Sequence, residues 1–299
     1  MFLEKVFCRI DGGFGNQLFQ YAAARSLADR LGVDLALDLR LLEINDSRKF
    51  ELDRYQIRAE IATDKELAHL PNSRSTRLGR IISNLSLAFP EFISYPIIWQ
   101  RSVEYDLRFL KIKKPIFLVG YWQTEQYFYW NRFRLINDLQ PNESLYSDNA
   151  LRRCIEGTVS VALHIRRGDY ISNSAAASVH GLCDKQYYTN AVQYMIDALK
   201  DIQLFIFSDD TEWVRGNLEF AVPCIIVDAQ HGSSTLFDFE MMRSCKHHII
   251  SNSTYSWWAA WLAEHSNQIV IAPKQWFKNK ALNAQDLVPA RWVRLHAEG

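Results

Sequence analysis

The chain has 299 residues, 48% hydrophobic and 23% charged, a globular composition long enough for two domains of ordinary size. Lys plus Arg and Asp plus Glu are both 34, so the formal net charge is zero. That argues against a nucleic-acid binder, which would show a basic excess, and leaves any anion to be met by a local cluster of cations.

The first element in chain order is a strand, Val6 to Ile10, followed by the glycine-rich turn Gly12-Gly13-Phe14-Gly15. Leu18, Phe19, Ala22, Ala23, Leu27 and Leu31 then recur at helical spacing, and Gly32 can close that helix. The run VDLALDL is the next strand, so the chain opens as a strand, glycine turn, helix and strand, the start of a doubly wound fold. Residues 41–115 give a weaker pattern, read as partly helical and as the carrier of specificity. Pro115 to Gln123 reads as a strand, Thr124 to Leu135 as a helix, and Ala150 to Ile155 as a linker or helix between domains. The second half has five apolar strands, Val159–Ile165, Leu204–Phe207, Cys224–Val227, His247–Ser251 and Ile269–Ala272. Helical patterns at Gln186–Leu199 and Tyr255–Ala263 lie between them, which predicts a parallel sheet covered by helices. The expected domains are 1–155 and 156–299.

The five cysteines are scattered with no C-x-x-C pair, which argues against a disulfide framework or structural zinc and for buried reduced thiols. No apolar run reaches the ~18–20 residues that span a bilayer, and the N-terminus has no secretory pattern. The expected compartment is the cytoplasm, with peripheral membrane contact through the many aromatics left open.

Polar clusters follow the second-half strands: HIRRGDY, SDD and SNSTYS. Ligands of open α/β sheets bind at the carboxyl ends of strands, so these loops form one expected ligand edge. Arg166 and Arg167 fork onto paired oxygens and suit a pyrophosphate; the competing reading is surface ion pairing, for example with Asp169. His164 reads as a base contact or a satisfied core histidine, and Asp169 as a group orienting an Arg or a general base. Ser253, Thr254, Tyr255 and Ser256 open a helix and suit a phosphate, with ordinary N-capping by Ser253 or Thr254 compatible with that role. Trp257, Trp258 and Trp261 read as helix packing. Asp209 and Asp210 read as an Asx-capped turn or as Mg²⁺ ligands. Asp238 reads as a helix cap or as an acceptor of hydrogen bonds from a base such as guanine.

The N-terminal turn is an incomplete dinucleotide fingerprint, because Leu18 stands where the third glycine belongs, although Asp38 ends the second strand as that fingerprint requires. Neither G-x-x-x-x-G-K-[ST] nor G-x-S-x-G is present. Asn16, at the helix start, offers one amide and no cation, so it suits a neutral sugar better than a diphosphate.

GGFGNQLFQYAAARSLA, HIRRGDY, FSDD and CKHHIISNSTYSWWAAWL, in that order, resemble the glycosyltransferase family 11 α-1,2-fucosyltransferases of the soluble bacterial type. The resemblance spans residues 12 to 263. It implies two Rossmann-like domains facing a cleft (the GT-B architecture, α/β), GDP-β-L-fucose as donor, a terminal β-galactoside as acceptor, and inversion at the transferred sugar without a required metal or other cofactor. It further implies that Arg166 and Arg167 hold the donor pyrophosphate, that His164 and Asp238 face the guanine, and that Asn16 lies near the transferred sugar from the opposite domain. Tyr255 departs mildly from the Phe common at its position. Two other readings are an NAD-dependent enzyme built on the N-terminal turn and a non-catalytic glycan-binding module.

Overall fold

The computed structural model describes residues 4–43, 48–68, 70, 96–142, 149–168, 181–231, 234–279 and 281–296. The chain divides into two compact units, Met1–Glu143 with Gln285–Leu287, and Ser144–Ala284 with Val288–Gly299.

In the first unit, β1 (Val6–Arg9), β2 (Leu35–Asp38), β3 (Glu60–Ile61), β4 (Ile97–Trp99) and β5 (Phe117–Val119) form a parallel sheet in the order β3-β2-β1-β5-β4. Helix α1 (Phe14–Leu31) packs on it and ends at Gly32, whose positive φ lets its N–H reach the Ala28 and Asp29 carbonyls. Every residue of β1 and β2 is buried, as a parallel sheet covered on both faces demands. The expected helix at Thr124 to Leu135 is instead two 3₁₀ turns, Glu125–Tyr127 and Tyr129–Asn131, followed by α2 (Arg132–Asp138). Phe128, at φ −144°, breaks the helix. Tyr127 and Phe128 are buried, while Tyr129 and Trp130 stay outside. The described part of 41–115 holds only short elements, and 71–95 lie outside the described residues.

In the second unit, α3 (Ala150–Gly157), capped by the Asn149 side chain, precedes β6 (Ser160–Ile165). Then follow α4 (Lys185–Leu199), β7 (Gln203–Ser208), α5 (Thr211–Asn217), β8 (Cys224–Val227), α6 (Thr235–Ser244), β9 (His247–Ile249), α7 (Thr254–Leu262), β10 (Val270–Pro273) and β11 (Val293–Leu295). All five expected strands are present, and β11 joins them in a parallel sheet of order β11-β10-β9-β6-β7-β8. Trp257, Trp258 and Trp261 are buried and stack among themselves and on Trp292, the packing role expected of them.

Both sheets reverse direction at their first strand. The chain builds outward from β1 to β3 and returns to the other side of β1 with β5; it builds from β6 to β8 and returns beside β6 with β9. Such a switch point opens a crevice at the carboxyl ends of the two central strands.

Candidate functional site

The crevice of the second unit collects the polar clusters. His164, near the end of β6, is buried, with Nδ1 2.9 Å from the Oγ of Ser251 just after β9. Its ring lies 5.6 Å from that of Tyr255, which in turn lies 5.4 Å from Phe239 on α6. The Tyr255 hydroxyl donates to the Thr235 carbonyl, so this ring ties the start of α7 to the start of α6. Burial, helped by the Arg166 charge, pushes the His164 imidazole down to about 3. It is therefore neutral near pH 7, a hydrogen-bonding group rather than a cation.

Arg166 and Arg167 follow β6 and face Asp209 and Asp210, which follow the adjacent β7; Ile165 pairs with Ser208 in the sheet. Arg166 Nη1 is 2.9 Å from Asp209 Oδ2, and the same carboxylate accepts the backbone N–H groups of Arg167 at 2.8 Å and Gly168 at 3.0 Å. A Cβ on Gly168 would sit 3.0 Å from Asp209 Oδ2, so glycine lets the loop close on that carboxylate. Asp210 caps α5 by accepting from Trp213 N–H at 3.0 Å, and its other oxygen lies 3.3 Å from Arg167 Nε. The Arg167 guanidinium stacks 3.8 Å from the centre of the Trp213 ring. The arginines thus pair with Asp209 and Asp210, and Asp210 is the expected Asx cap. Asp169 lies outside the described residues. Both arginines are half-buried and oriented, and a fork of five donors can hold a carboxylate on one side and a phosphate on another.

Ser253 stands at the N-cap position of α7 with extended backbone, yet its hydroxyl makes no capping bond, which corrects the expectation of side-chain capping there. Trp257 N–H is the first to reach back one turn, to Ser253 O. The first turn, Thr254, Tyr255 and Ser256, carries N–H groups that no carbonyl of the helix itself can satisfy. Asn252 is buried and donates to Gly181 O and Trp276 O, which pins the loop from below. Asp238 lies in the first turn of α6 but does not cap it; Ser234 does, through the Phe237 N–H. His164, Ser251 and Tyr255 thus come together, and the two arginines come together with Asp209 and Asp210. Asp238 lies one residue from the Phe239 that touches Tyr255. Sequence reasoning missed Ser251 as the partner of His164 and Trp213 as the platform of Arg167. Neither partner had a local signal, since each comes from a distant segment of the chain.

In the crevice of the first unit, Asn16 sits in the first turn of α1, half-buried, and its Oδ1 accepts from Gln123 Nε2 at 2.8 Å. Gln17 and Gln20 are buried and bind loop backbone, at Gly12, Lys49 and Glu51 and at Asp11 and Gly120 respectively. Asp38, the residue that imitates a dinucleotide site, is wholly buried and bonded to Arg9 at 3.1 Å and to Arg40 at 2.8 Å. A ribose has no access to it. Beside this network a cavity of about 310 Å³ opens at the ends of β1, β4 and β5, with Asp11, Trp99, Gln100, Arg101, Tyr121 and Gln123 in its wall. Gly120 lets β4 and β5 converge there: a Cβ would lie 2.4 Å from the Cβ of Gln100.

The chain as a whole is similar to known glycosyltransferases. The profile of glycosyl transferase family 11 matches residues 5–296. An alpha-1,2-colitosyltransferase of Escherichia coli is 33% identical over 294 residues, covering 97% of this chain and 98% of the relative. The O-antigen biosynthesis glycosyltransferase WbnK, also of Escherichia coli, is 30% identical over 308 residues, covering 96% and 99%. A bovine galactoside 2-alpha-L-fucosyltransferase is 30% identical over 105 residues, 34% of this chain and 28% of its own length. Among solved structures, a single-residue mutant of Arabidopsis thaliana FUT1 in complex with GDP superposes with a TM-score of 0.54 at 11% identity, over 89% of this chain and 70% of its own. The likeness is one of fold: two Rossmann-like α/β units of the GT-B kind. With the matched profile spanning almost the whole sequence, the chain belongs to glycosyl transferase family 11.

Proposed function

We propose that the protein transfers L-fucose from GDP-β-L-fucose, with inversion, to O2 of a terminal β-galactoside. The observation that supports this most is the pairing, at one switch point, of two oriented arginines with a helix start rich in hydroxyls. As the sugar C1–O bond breaks, negative charge grows on the β-phosphate. Arg166, Arg167 and the first-turn groups of α7 (Ser253, Thr254, Tyr255 and Ser256) meet that charge, so they stabilise the transition state more than the bound donor. The neutral imidazole of His164 and the carboxylate of Asp238 receive the guanine. The acceptor oxygen forms the new bond to C1 as GDP leaves, and its proton passes to a base, for which Asp169 is the candidate. Asn16 hydrogen-bonds the transferred sugar.

The reaction as proposed uses no metal. Asp209 and Asp210 spend their oxygens on two arginines, two loop N–H groups and a helix start, which is the work of counterions and caps. The cavity in the first unit suits a neutral saccharide of the acceptor, since Trp99 and Tyr121 offer aromatic surface and Asp11, Gln100 and Gln123 offer polar atoms. The NAD-dependent reading loses its support with Asp38 buried between Arg9 and Arg40.

A second donor stands beside fucose because of the 33% identical relative named for colitose, a sugar that differs from L-fucose by lacking the 3-hydroxyl. Incubation with GDP-fucose and with GDP-colitose, each over a panel of galactosides, with GDP release as readout and NMR of the linkage, tests the proposal. Turnover of GDP-fucose to an α-1,2-galactoside, persisting in excess EDTA, is the expected result. Turnover of GDP-colitose alone assigns the other donor, and a requirement for Mg²⁺ or Mn²⁺ returns Asp209 and Asp210 to the role of ligands.

A further inference from the structure

The largest exposed apolar groups of the described residues gather on two short stretches of the first unit. Leu107 and Leu110 are exposed on the 3₁₀ helix Leu107–Lys111, where a spacing of three puts them on one side. Tyr129, Trp130 and Phe133 are exposed on the 3₁₀ turn Tyr129–Asn131 and the start of α2, with Phe133 80% and Trp130 59% accessible. Both stretches are fastened to the last turn of α1. Arg30 donates to the Phe109 carbonyl at 2.8 Å and lies 5.4 Å from its ring, while Asp29 accepts from Asn131 Nδ2 at 2.6 Å and pairs with Arg134 at 3.3 Å. Phe109 also packs edge-on against Tyr127, 4.8 Å between ring centres, so the two apolar ridges adjoin. Scattered single apolar residues need no explanation, but five large ones on adjoining ridges do.

Charge decides what fits there. Residues 107–114 carry Arg108, Lys111, Lys113 and Lys114, and residues 129–134 carry Arg132 and Arg134, with no acidic residue in either stretch; Arg108 is paired with Asp106 and Arg134 with Asp29, so the lysines and Arg132 carry the excess. The whole chain has no net charge, so this is a local excess. A second copy is a poor partner, since a two-fold contact would set the same cations against each other. A surface that accepts Trp, Tyr, Phe and Leu to shallow depth and attracts Lys and Arg is the headgroup region of an anionic bilayer. No helix among the described residues is long and apolar enough to cross a membrane, so such contact would be peripheral.

We propose that this face seats the protein on an anionic lipid surface. It lies at the end of α1 remote from Gly13 and Asn16, about 27 Å along an 18-residue helix, so docking leaves the crevice of this unit open. The test is sedimentation of the full chain with phosphatidylcholine vesicles that contain or lack about a quarter phosphatidylglycerol. The expected result is binding to the anionic vesicles alone, weakened at least about tenfold by Trp130→Ser with Phe133→Ser, and about as much by half-molar salt. Lys113→Glu with Lys114→Glu should also weaken it. Turnover of a water-soluble acceptor by each variant should stay within about twofold of the parent, since none of these residues touches the sites described. Absence of binding to anionic vesicles would overturn the proposal, as would binding that neither double variant weakens. So would loss of a dimer in the Trp130 and Phe133 variant with vesicle binding unchanged, which assigns the face to a second copy.

Discussion

Two strand ends in this molecule use the same residue types to opposite effect. At the end of β2, Asp38 is 0% exposed and lies between the guanidinium groups of Arg9, itself 2% exposed, and Arg40. After β6, Arg166 and Arg167 meet Asp209 and Asp210 with side chains 29% and 18% exposed. In the first arrangement one wholly buried carboxylate serves two cations, Arg9 buried with it and Arg40 partly exposed, and the charges exist for one another. In the second each cation has its own carboxylate on one flank and remains accessible to solvent. Acid and arginine at a strand end therefore say little by themselves; burial decides whether they hold the fold or hold a ligand.

The largest expected effect breaks the first arrangement. Burial opposes the charge of Asp38, but the bonds and charges of Arg40 and Arg9 prevail and hold its carboxyl below the usual range. Asp38→Ala would strand two guanidinium groups, one of them buried, and breaking a buried pair on one side costs about 3–5 kcal/mol. Urea unfolding should show that loss, with Asp38→Asn milder because one acceptor survives. A variant with parental stability and no donor turnover would move Asp38 from the fold to the site and erase the contrast.

A smaller effect, felt in a different measurement, is expected from the second arrangement. Arg166→Ala should lower kcat/KM for the donor by roughly 10²-fold, about 2.7 kcal/mol, since a charge-assisted contact that strengthens in the transition state is lost. The melting temperature should hardly move, because an exposed ion pair contributes about 0–1 kcal/mol. Arg166→Lys should recover only part of the rate, because an ammonium lacks the fork. Stability lost in step with activity would mean that this pair, too, is chiefly structural.

The sequence disclosed most of this where the signal was local. The five strands of the second half are apolar runs bounded by polar loops, and their carboxyl ends could be named before any coordinates. Partners contributed by distant segments stayed hidden. Nothing in HIRRGDY says that Asp209, about forty residues on, will take Arg166, because the β6–β7 register brings them together. Nothing in VDLALDL says that Asp38 will be sealed in by Arg9. The helix expected at Thr124 to Leu135 is interrupted at Phe128, whose backbone at φ −144° is not helical, and the apolar pattern carries no glycine or proline to mark that break. Strands of two or three residues, such as β3 and β4, carry too few positions for a period to show.

His164 tests the contrast at its boundary, since it is buried like Asp38 yet sits at the strand end proposed to meet the ligand. Its imidazole is held down to about 3 by burial and by Arg166, against 6.5 in an unfolded chain. Above pH 6.5 both states are neutral and the stabilisation is fully present. As pH falls below 6.5 the unfolded chain takes up the proton first, so stability declines progressively until about pH 3. By pH 5.5 the loss from one such group is about 1.4 kcal/mol, the smallest of the three effects. The parent's unfolding free energy, measured between pH 7.5 and 5.5, should fall more steeply than that of His164→Gln, while His247 and His248, both held down to about 4, contribute equally to the two proteins. GDP affinity gives the other half of the test. The terminal phosphate of GDP itself titrates at about pH 6, so the readout is the difference between parent and His164→Gln: an imidazole that stays neutral predicts two affinity profiles that run parallel. An inflection present in the parent and absent from His164→Gln would show His164 ionising in place, and so on the solvent-facing side of the contrast with Arg166 and Arg167.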